Sequence, residues 1–351
     1  KVLHFSGGGT ESEVAQIRAF MDSYKTIIED TLYGASVQTF QKTSSEPFQI
    51  TQVDSITQLV NNGVQFINFF GHGSAVGFDV SIDHPSLFGN NNGKYPFMMA
   101  NSCFAGDIHQ PASVPTSISE EWVLEPDGGA LGFLATVGPG SRFYLNSYCT
   151  NFYHSVSHLA YYNTIGQQVK RAVRENAQPF NDITRLHDLE YTLHGDPALN
   201  ITDRELPDLM VDQQSIWFEP EEITTEMTEF EMNIKITNLG AAFADSFFVE
   251  IRRQLPTGET DTTLTIIHPP VYYLDTLTVF IPIDLIDGLG INTLCVSLDN
   301  PPYIEELSEV NNDVCVDVNV LSPDIVPIWP YEFAVIPDQG PTLKCSTGNP
   351  F

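Results

Sequence analysis

Two apolar runs in the first third of the chain each lead into a side chain able to do covalent chemistry. Phe66-Ile67-Asn68-Phe69-Phe70 is followed by Gly71-His72-Gly73-Ser74. Pro96-Phe97-Met98-Met99-Ala100-Asn101-Ser102 is followed by Cys103 and then Phe104-Ala105-Gly106. A thiol near its ordinary pKa is only a few per cent ionised at neutral pH, so a nucleophilic cysteine needs a base beside it. An imidazole removes that proton or holds the thiolate as an ion pair, and later protonates a leaving amine. Glycine on both sides of His72 removes Cβ atoms, so a substrate carbonyl can approach and a backbone N–H can point at it. Taken singly, a buried cysteine is usually an inert small hydrophobe and a histidine a satisfied polar group. At matching ends of two strands they read together as nucleophile and general base.

The elements that must position them follow from periodicity. Both runs are short and continuously apolar, the pattern of central strands in a parallel sheet covered on both faces. In such sheets the reactive groups collect in the crevice beyond the carboxyl ends of the strands. Upstream, Lys1–Gly7 reads as a strand ending in Gly7-Gly8-Gly9. A helix follows with an acidic start at Glu11 and Glu13 and apolar positions Val14, Ile17, Phe20, Met21, Tyr24 and Ile28. The glycine run lacks the Lys-Ser/Thr of a phosphate loop and is a strand-to-helix turn. A strand over Ala35–Gln41 and a short helix over Asp54–Asn61 complete a right-handed crossover pattern.

Downstream, Ser117-Ile118-Ser119-Glu120 is a capping box opening a helix. Asp127-Gly128-Gly129 turns into an apolar strand to Val137, and Gly138-Pro139-Gly140-Ser141-Arg142 comes out at the same sheet end as His72 and Cys103. Asn151–Asn176 reads as one long helix. It carries His154 and His158 four residues apart, without a third ligand in register for zinc. Cys149 lies beside it and reads as packing.

The motifs carry a resemblance. An apolar run with His-Gly, then a second apolar run ending in Cys, resembles the caspase and gingipain clan of cysteine peptidases. Gly71-His72-Gly73-Ser74, Asn101-Ser102-Cys103 with Gly106 and Asp107, Gly129–Thr136 and Leu193-His194-Gly195-Asp196-Pro197-Ala198-Leu199 together resemble the gingipain family. Phe78 stands where that family usually has a Trp shortly after His-Gly. The resemblance implies a three-layer α/β domain and hydrolysis of peptide bonds in polypeptide substrates through an acyl-thioester. In it, Cys103 is the nucleophile, His72 the base and acid, and the backbone N–H groups of Gly73 and Cys103 the oxyanion hole. It names no acidic residue to orient His72. No cofactor is required. A structural calcium in the turn-rich loop Asp79–Tyr95, whose tip is Asn90-Asn91-Asn92-Gly93, is an option that the missing 1-3-5 ligand spacing does not favour. A sortase-like transpeptidase of type IX secretion and a non-catalytic surface adhesion module are the rival readings. Product analysis with an added amine separates the first from a hydrolase.

Composition bounds the partners. The 351 residues carry 45 acidic against 15 basic side chains, a formal net charge of −30. That argues against nucleic acid or an anionic membrane as a partner, since phosphate binding is dominated by Lys and Arg. No apolar run is long enough for membrane insertion. A start at Lys1 without Met reads as a piece of a longer precursor, and the resemblance implies a protein secreted or held at a bacterial cell surface, with possible further domains of the same precursor.

From Pro207 helical periodicity gives way to short alternating strands with regular turns, as in an antiparallel immunoglobulin-like sandwich. Thr237-Asn238-Leu239-Gly240 and Glu305–Asn312 resemble the CARDB type of such modules. Cys295 and Cys315 fall in neighbouring strands, within disulfide reach if they lie opposite each other. The expected organisation is a gingipain-like peptidase domain over 1–206, a CARDB/immunoglobulin-like sandwich over 207–320, and a tail or start of a further domain over 321–351, with strand-like Phe333-Ala334-Val335-Ile336.

Overall fold

The computed structural model describes residues 1–43, 53–80, 82, 84–88, 93–109, 116–177, 181–322, 325–329, 335 and 344–347. The chain forms two compact units, Lys1–Glu205 and Leu206–Phe351.

The first unit runs β1 (Val2–Ser6), α1 (Glu11–Glu29), β2 (Val37–Gln41), α2 (Val53–Asn61), β3 (Phe66–Phe70), the short hairpin β4 (Gly73–Ser74) and β5 (Gly77–Phe78), β6 (Phe97–Asn101), α3 (Ile118–Leu124), β7 (Gly132–Thr136), α4 (Arg142–His154), α5 (Ile165–Asn176), α6 (Asp182–Glu190) and β8 (Tyr191–Gly195). Its sheet has the order β2-β1-β3-β6-β7-β8. The strands are parallel from β2 to β7. The last, β8, is antiparallel to β7. Helices α4, α5 and α6 connect the two strands, and α6 ends at the carboxyl end of β7, where the Val137 N–H donates to the Glu190 carbonyl (2.9 Å), so β8 runs back along β7.

Alternation along the strands builds two different layers. On one face Leu3, Phe5, Ile67, Phe69, Met98, Ala100, Phe133 and Ala135 pack with Ile56 and Val60 of α2 and Trp122 of α3 in one apolar core. On the other face lie the polar members of the strands, His4, Asn68 and Asn101, all buried. Buried amides need partners, and here they find each other. Asn101 donates to Asn68 Oδ1 (2.8 Å) and Asn68 to the Tyr153 hydroxyl of α4 (3.0 Å). Tyr191 donates to Asn101 Oδ1 (2.6 Å), and His4 pairs with Tyr153 (2.7 Å).

The capping box forms as expected, with Ser117 and Glu120 satisfying each other's backbone N–H groups. The single helix expected over Asn151–Asn176 is instead two. Helix α4 already begins at Arg142, a π-helical turn follows at Ser155–Leu159, and α5 starts afresh from Thr164, which forms a second capping box with Gln167. That Thr-x-x-Gln spacing was the overlooked start signal.

The second unit contains β9 (Leu209–Met210), β10 (Ile216–Glu219), β11 (Ile223–Thr224), β12 (Glu229–Asn238), β13 (Phe247–Gln254), β14 (Thr260–His268), β15 (Leu274–Pro282), β16 (Gly290–Leu298), β17 (Asp313–Leu321), β18 (Ile325–Trp329) and β19 (Lys344–Thr347). One sheet has the order β10-β12-β15 with β9 beside β12, the other β11-β17-β16-β13-β14; β18 pairs with β19. Inward residues of the two larger sheets share one core that includes Phe230, Ile234, Ile281, Phe247, Ile251 and Val296. This is an all-β sandwich. Cys295 lies opposite Cys315 in the β16–β17 register, and the two form a disulfide. Asn90–Asn92 and, apart from Val335, the Phe333–Ile336 run lie outside the described residues.

Candidate active site

Strands β3 and β6 are neighbours, with Phe70 paired to Asn101, so His72 and Cys103 emerge side by side two residues past matching strand ends. The two motifs also touch. A Cβ on Gly73 would lie 2.7 Å from Ser102 Oγ, so only glycine lets the His-Gly turn settle against the Ser-Cys turn. The Asp79 N–H donates to the His72 carbonyl (2.9 Å), closing the β4–β5 hairpin. That bond makes Gly73 and Phe78 a non-hydrogen-bonded pair of the ladder, so the Gly73 N–H is not spent in it.

His72 is open to solvent, with 58% of its side chain exposed, and its Nε2 donates to Glu13 Oε2 at 3.0 Å. Glu13 sits in the first turn of α1. Its carboxylate also accepts the Gly9 N–H (2.9 Å) and pairs with Arg142 Nη1 (3.2 Å). Partial burial alone would raise its pKa. The Gly9 N–H, the His72 ring and the Arg142 charge outweigh that and hold the carboxyl below its ordinary value. Since a carboxylate only accepts, the contact places the ring proton on Nε2 and leaves Nδ1 as the free base.

Cys103 is partly buried. Its Sγ accepts the Gly140 N–H at 3.3 Å and lies 3.9 Å from the Gly140 carbonyl. The strand-end turn that presents it is locked from the β7 side. Phe104, with φ +57°, donates to the Gly138 carbonyl (3.0 Å), Gly106 donates to the Thr136 carbonyl (2.8 Å), and Thr136 Oγ1 donates to the Ser102 carbonyl. The Gly138–Arg142 segment therefore lines the site as the sequence suggested. Among the described residues no hydrogen bond joins His72 to Cys103 directly; each is held by its own partners.

Beneath them lies an ion pair. Lys42 Nζ and Asp79 Oδ2 are 3.1 Å apart with side chains only 1% and 6% exposed, and the same oxygen accepts the Gly8 N–H (2.8 Å). This pair binds the β1–α1 loop, the end of β2 and the turn after His72 into one platform. Sequence reading did not find Glu13, Lys42 or Asp79 in these roles. The one available signal was Thr10-x-x-Glu13, a helix-start spacing whose glutamate here reaches back to Gly9.

Among the described residues no group of three or more His, Cys, Asp or Glu side chains is placed to hold a metal ion. Asp79, the first acidic residue of the loop considered for calcium, is engaged with Lys42. His154 and His158 pack edge to face, with ring centroids 5.3 Å apart. Cys149 is fully buried against Asn68 and Asn101, and burial pushes its thiol up to about 12. Among the described residues no helix is long and apolar enough to cross a membrane.

No curated protein sequence matches the chain. Among solved structures it is similar to the complex of the pro- and mature domains of RgpB from Porphyromonas gingivalis. The identity is 13%, covering 91% of this chain and 68% of that one, with a TM-score of 0.47. It is also similar to caspase-1 from Spodoptera frugiperda (11% identity, 58% of this chain and 90% of that one, TM-score 0.34). A CARDB domain from Pyrococcus furiosus matches at 24% identity over 34% of this chain and 91% of its own, with a TM-score of 0.27. The model of Peptidase family C25 matches residues 1–202. That span is more than half of the chain and contains His72, Cys103 and every partner described above, and the chain belongs to peptidase family C25, the gingipain family of cysteine peptidases.

Proposed function

We propose that the chain is a cysteine endopeptidase, secreted or held at a cell surface, that hydrolyses peptide bonds through Cys103 and His72. The observation that carries this reading is the 3.0 Å contact of His72 Nε2 with Glu13. It fixes the ring tautomer and leaves Nδ1 free at the strand end adjacent to Cys103. His72 Nδ1 takes the thiol proton as Sγ attacks the scissile carbonyl carbon. The carbonyl oxygen becomes an oxyanion that the Gly73 and Cys103 N–H groups receive. When the C–N bond breaks, His72 returns the proton to the leaving amine and an acyl-thioester remains on Cys103. Water, deprotonated by His72, then attacks the thioester; the C–S bond breaks, the carboxylic acid leaves and the thiol is restored. Glu13 stabilises the imidazolium formed in each half-reaction, and the Gly9 N–H, the His72 ring and the Arg142 charge together keep Glu13 ionised. Polypeptides are the substrates, and nothing in this sequence of steps calls for a cofactor.

Changing Cys103→Ala is expected to abolish cleavage of a denatured protein substrate with little change in melting temperature, because the thiol does chemistry rather than packing. Glu13→Gln is expected to lower kcat by about 10² to 10⁴ while leaving KM within a few fold, since a misoriented base fails in the transition state. Full activity of the Cys103→Ala protein would sink the assignment.

A further inference from the structure

With Cys103 taken as the nucleophile proposed above, a residue outside the catalytic pair bears on its placement. His187 lies on α6, buried against the ring of Tyr144 with centroids 4.9 Å apart. Its two ring nitrogens have partners of opposite kind. Nδ1 is 2.9 Å from the Ile183 carbonyl, which can only accept, and Nε2 is 3.1 Å from the Ser141 N–H, which can only donate. The pair of contacts fixes one neutral tautomer, protonated at Nδ1 and a bare acceptor at Nε2.

The Ser141 N–H belongs to the same planar peptide unit as the Gly140 carbonyl, and in a trans peptide the two point in opposite directions. Holding that N–H toward α6 therefore aims the Gly140 carbonyl back at Cys103, whose Sγ lies 3.9 Å away. One unit earlier, the Gly140 N–H donates to the same sulfur at 3.3 Å. Gly140 lies close against Leu145, where an added Cβ would come within 2.5 Å of Cδ1. Ser141 caps α4 without a side-chain hydrogen bond, so nothing from its own side chain orients this turn. We infer that His187 is the positioning residue for the nucleophile: through its acceptor nitrogen it sets the Gly140–Ser141 peptide, and that peptide with the Gly140 N–H holds the Cys103 sulfur in its reactive place.

The test uses alkylation of Cys103 by iodoacetamide, read by peptide mass spectrometry, together with peptidase kinetics. His187→Phe keeps a ring against Tyr144 and removes the acceptor; His187→Gln puts an amide oxygen at a similar reach. In the folded Phe variant, alkylation of Cys103 and kcat are each expected to fall about tenfold with KM little changed, the worth of one hydrogen bond. The Gln variant is expected to recover most of both, which a merely structural role would not produce. Alkylation at the unaltered rate in a folded Phe variant, or a Gln variant as slow as Phe, overturns the inference. Should the Phe variant not fold, ¹⁵N NMR of the unaltered protein decides. A bare Nε2 and a protonated Nδ1 on His187 support the inference, and a protonated Nε2 overturns it. If instead Cys103→Ala stays active, the peptidase reading fails while the alkylation rates still judge the positioning.

Discussion

Burial separates the two thiols of the first unit. Cys149 lies between Asn68, Asn101 and Met99 with no exposed surface, and desolvation pushes it up to about 12, although the surrounding hydrogen bonds pull the other way. Cys103 is partly open. A limited dose of iodoacetamide near pH 6 is therefore expected to label Cys103 first, and His72→Ala should remove that preference; equal labelling of both thiols would mean that His72 and Cys103 are uncoupled. His72, Gly73 and Cys103 could be picked out as residues because their surroundings are local: glycines next to the histidine, apolar strands just before each motif. Glu13 could not, since it meets His72 across 59 positions and the Thr10-x-x-Glu13 spacing signals only a helix start. His187 was hidden for the same reason, its partner Ser141 lying 46 positions away.

At the scale of elements, local signals sufficed where an element is set by its own sequence, as with the Ser117 capping box and the apolar strands β3, β6 and β7. They say less where a neighbour decides, although the Thr164-x-x-Gln167 spacing does mark the start of α5. The break between α4 and α5 is fixed by Ser155 and Gln168, whose bonds to the Gln168 and Ala160 carbonyls bring the two helices together, and the reversal of β8 depends on α6. The Asp79–Lys42 pair is a second long-range device, joining three loops under the site. Removing one buried partner of an ion pair strands the other charge, at a cost of about 3–5 kcal/mol. Asp79→Asn or Lys42→Met alone is expected to destabilise the protein on that scale in urea denaturation, and the double variant by clearly less than the sum. Additive single effects would show that the pair does not act as a unit. In the sandwich, Cys295 and Cys315 close a link between positions 20 apart, worth about 3 kcal/mol by loop entropy. Unreduced, denatured protein treated with an alkylating agent should leave these two unlabelled.

For the molecule as a whole, the change of texture near Pro207 made two folds legible, because helical and alternating periodicities require different cores. Charge patterning said much less, since most of the net −30 sits on solvated surface. A few buried groups override that average, and in the two units they respond to pH in opposite senses. In the first unit, burial drives His4 from its ordinary 6.5 down to about 3. The unfolded chain binds that proton more readily than the folded one, so this stability is present above about pH 6.5 and lost as pH falls toward 3. In the second unit, burial chiefly pushes the Glu306 carboxyl from 4.5 up to about 7, against the pull of the Leu209 N–H and the Asn312 amide and with Glu309 and Asp299 adding to the rise. Here the folded state holds the proton more tightly. The stability is full below about pH 4.5 and is lost as pH rises through 7. Calorimetry of the whole chain is thus expected to show the sandwich gaining stability between pH 7.5 and 5 while the His4 contribution in the first unit declines. Glu306→Gln isolates the effect. Asn312 donates to Glu306 Oε1 (2.9 Å) while its own Oδ1 has no partner, so a flip of that amide would satisfy a neutral glutamine. The variant should be at least as stable as the unaltered protein at pH 7.5 and should lose the gain on acidification; a variant that keeps the full gain would show that Glu306 is not its source.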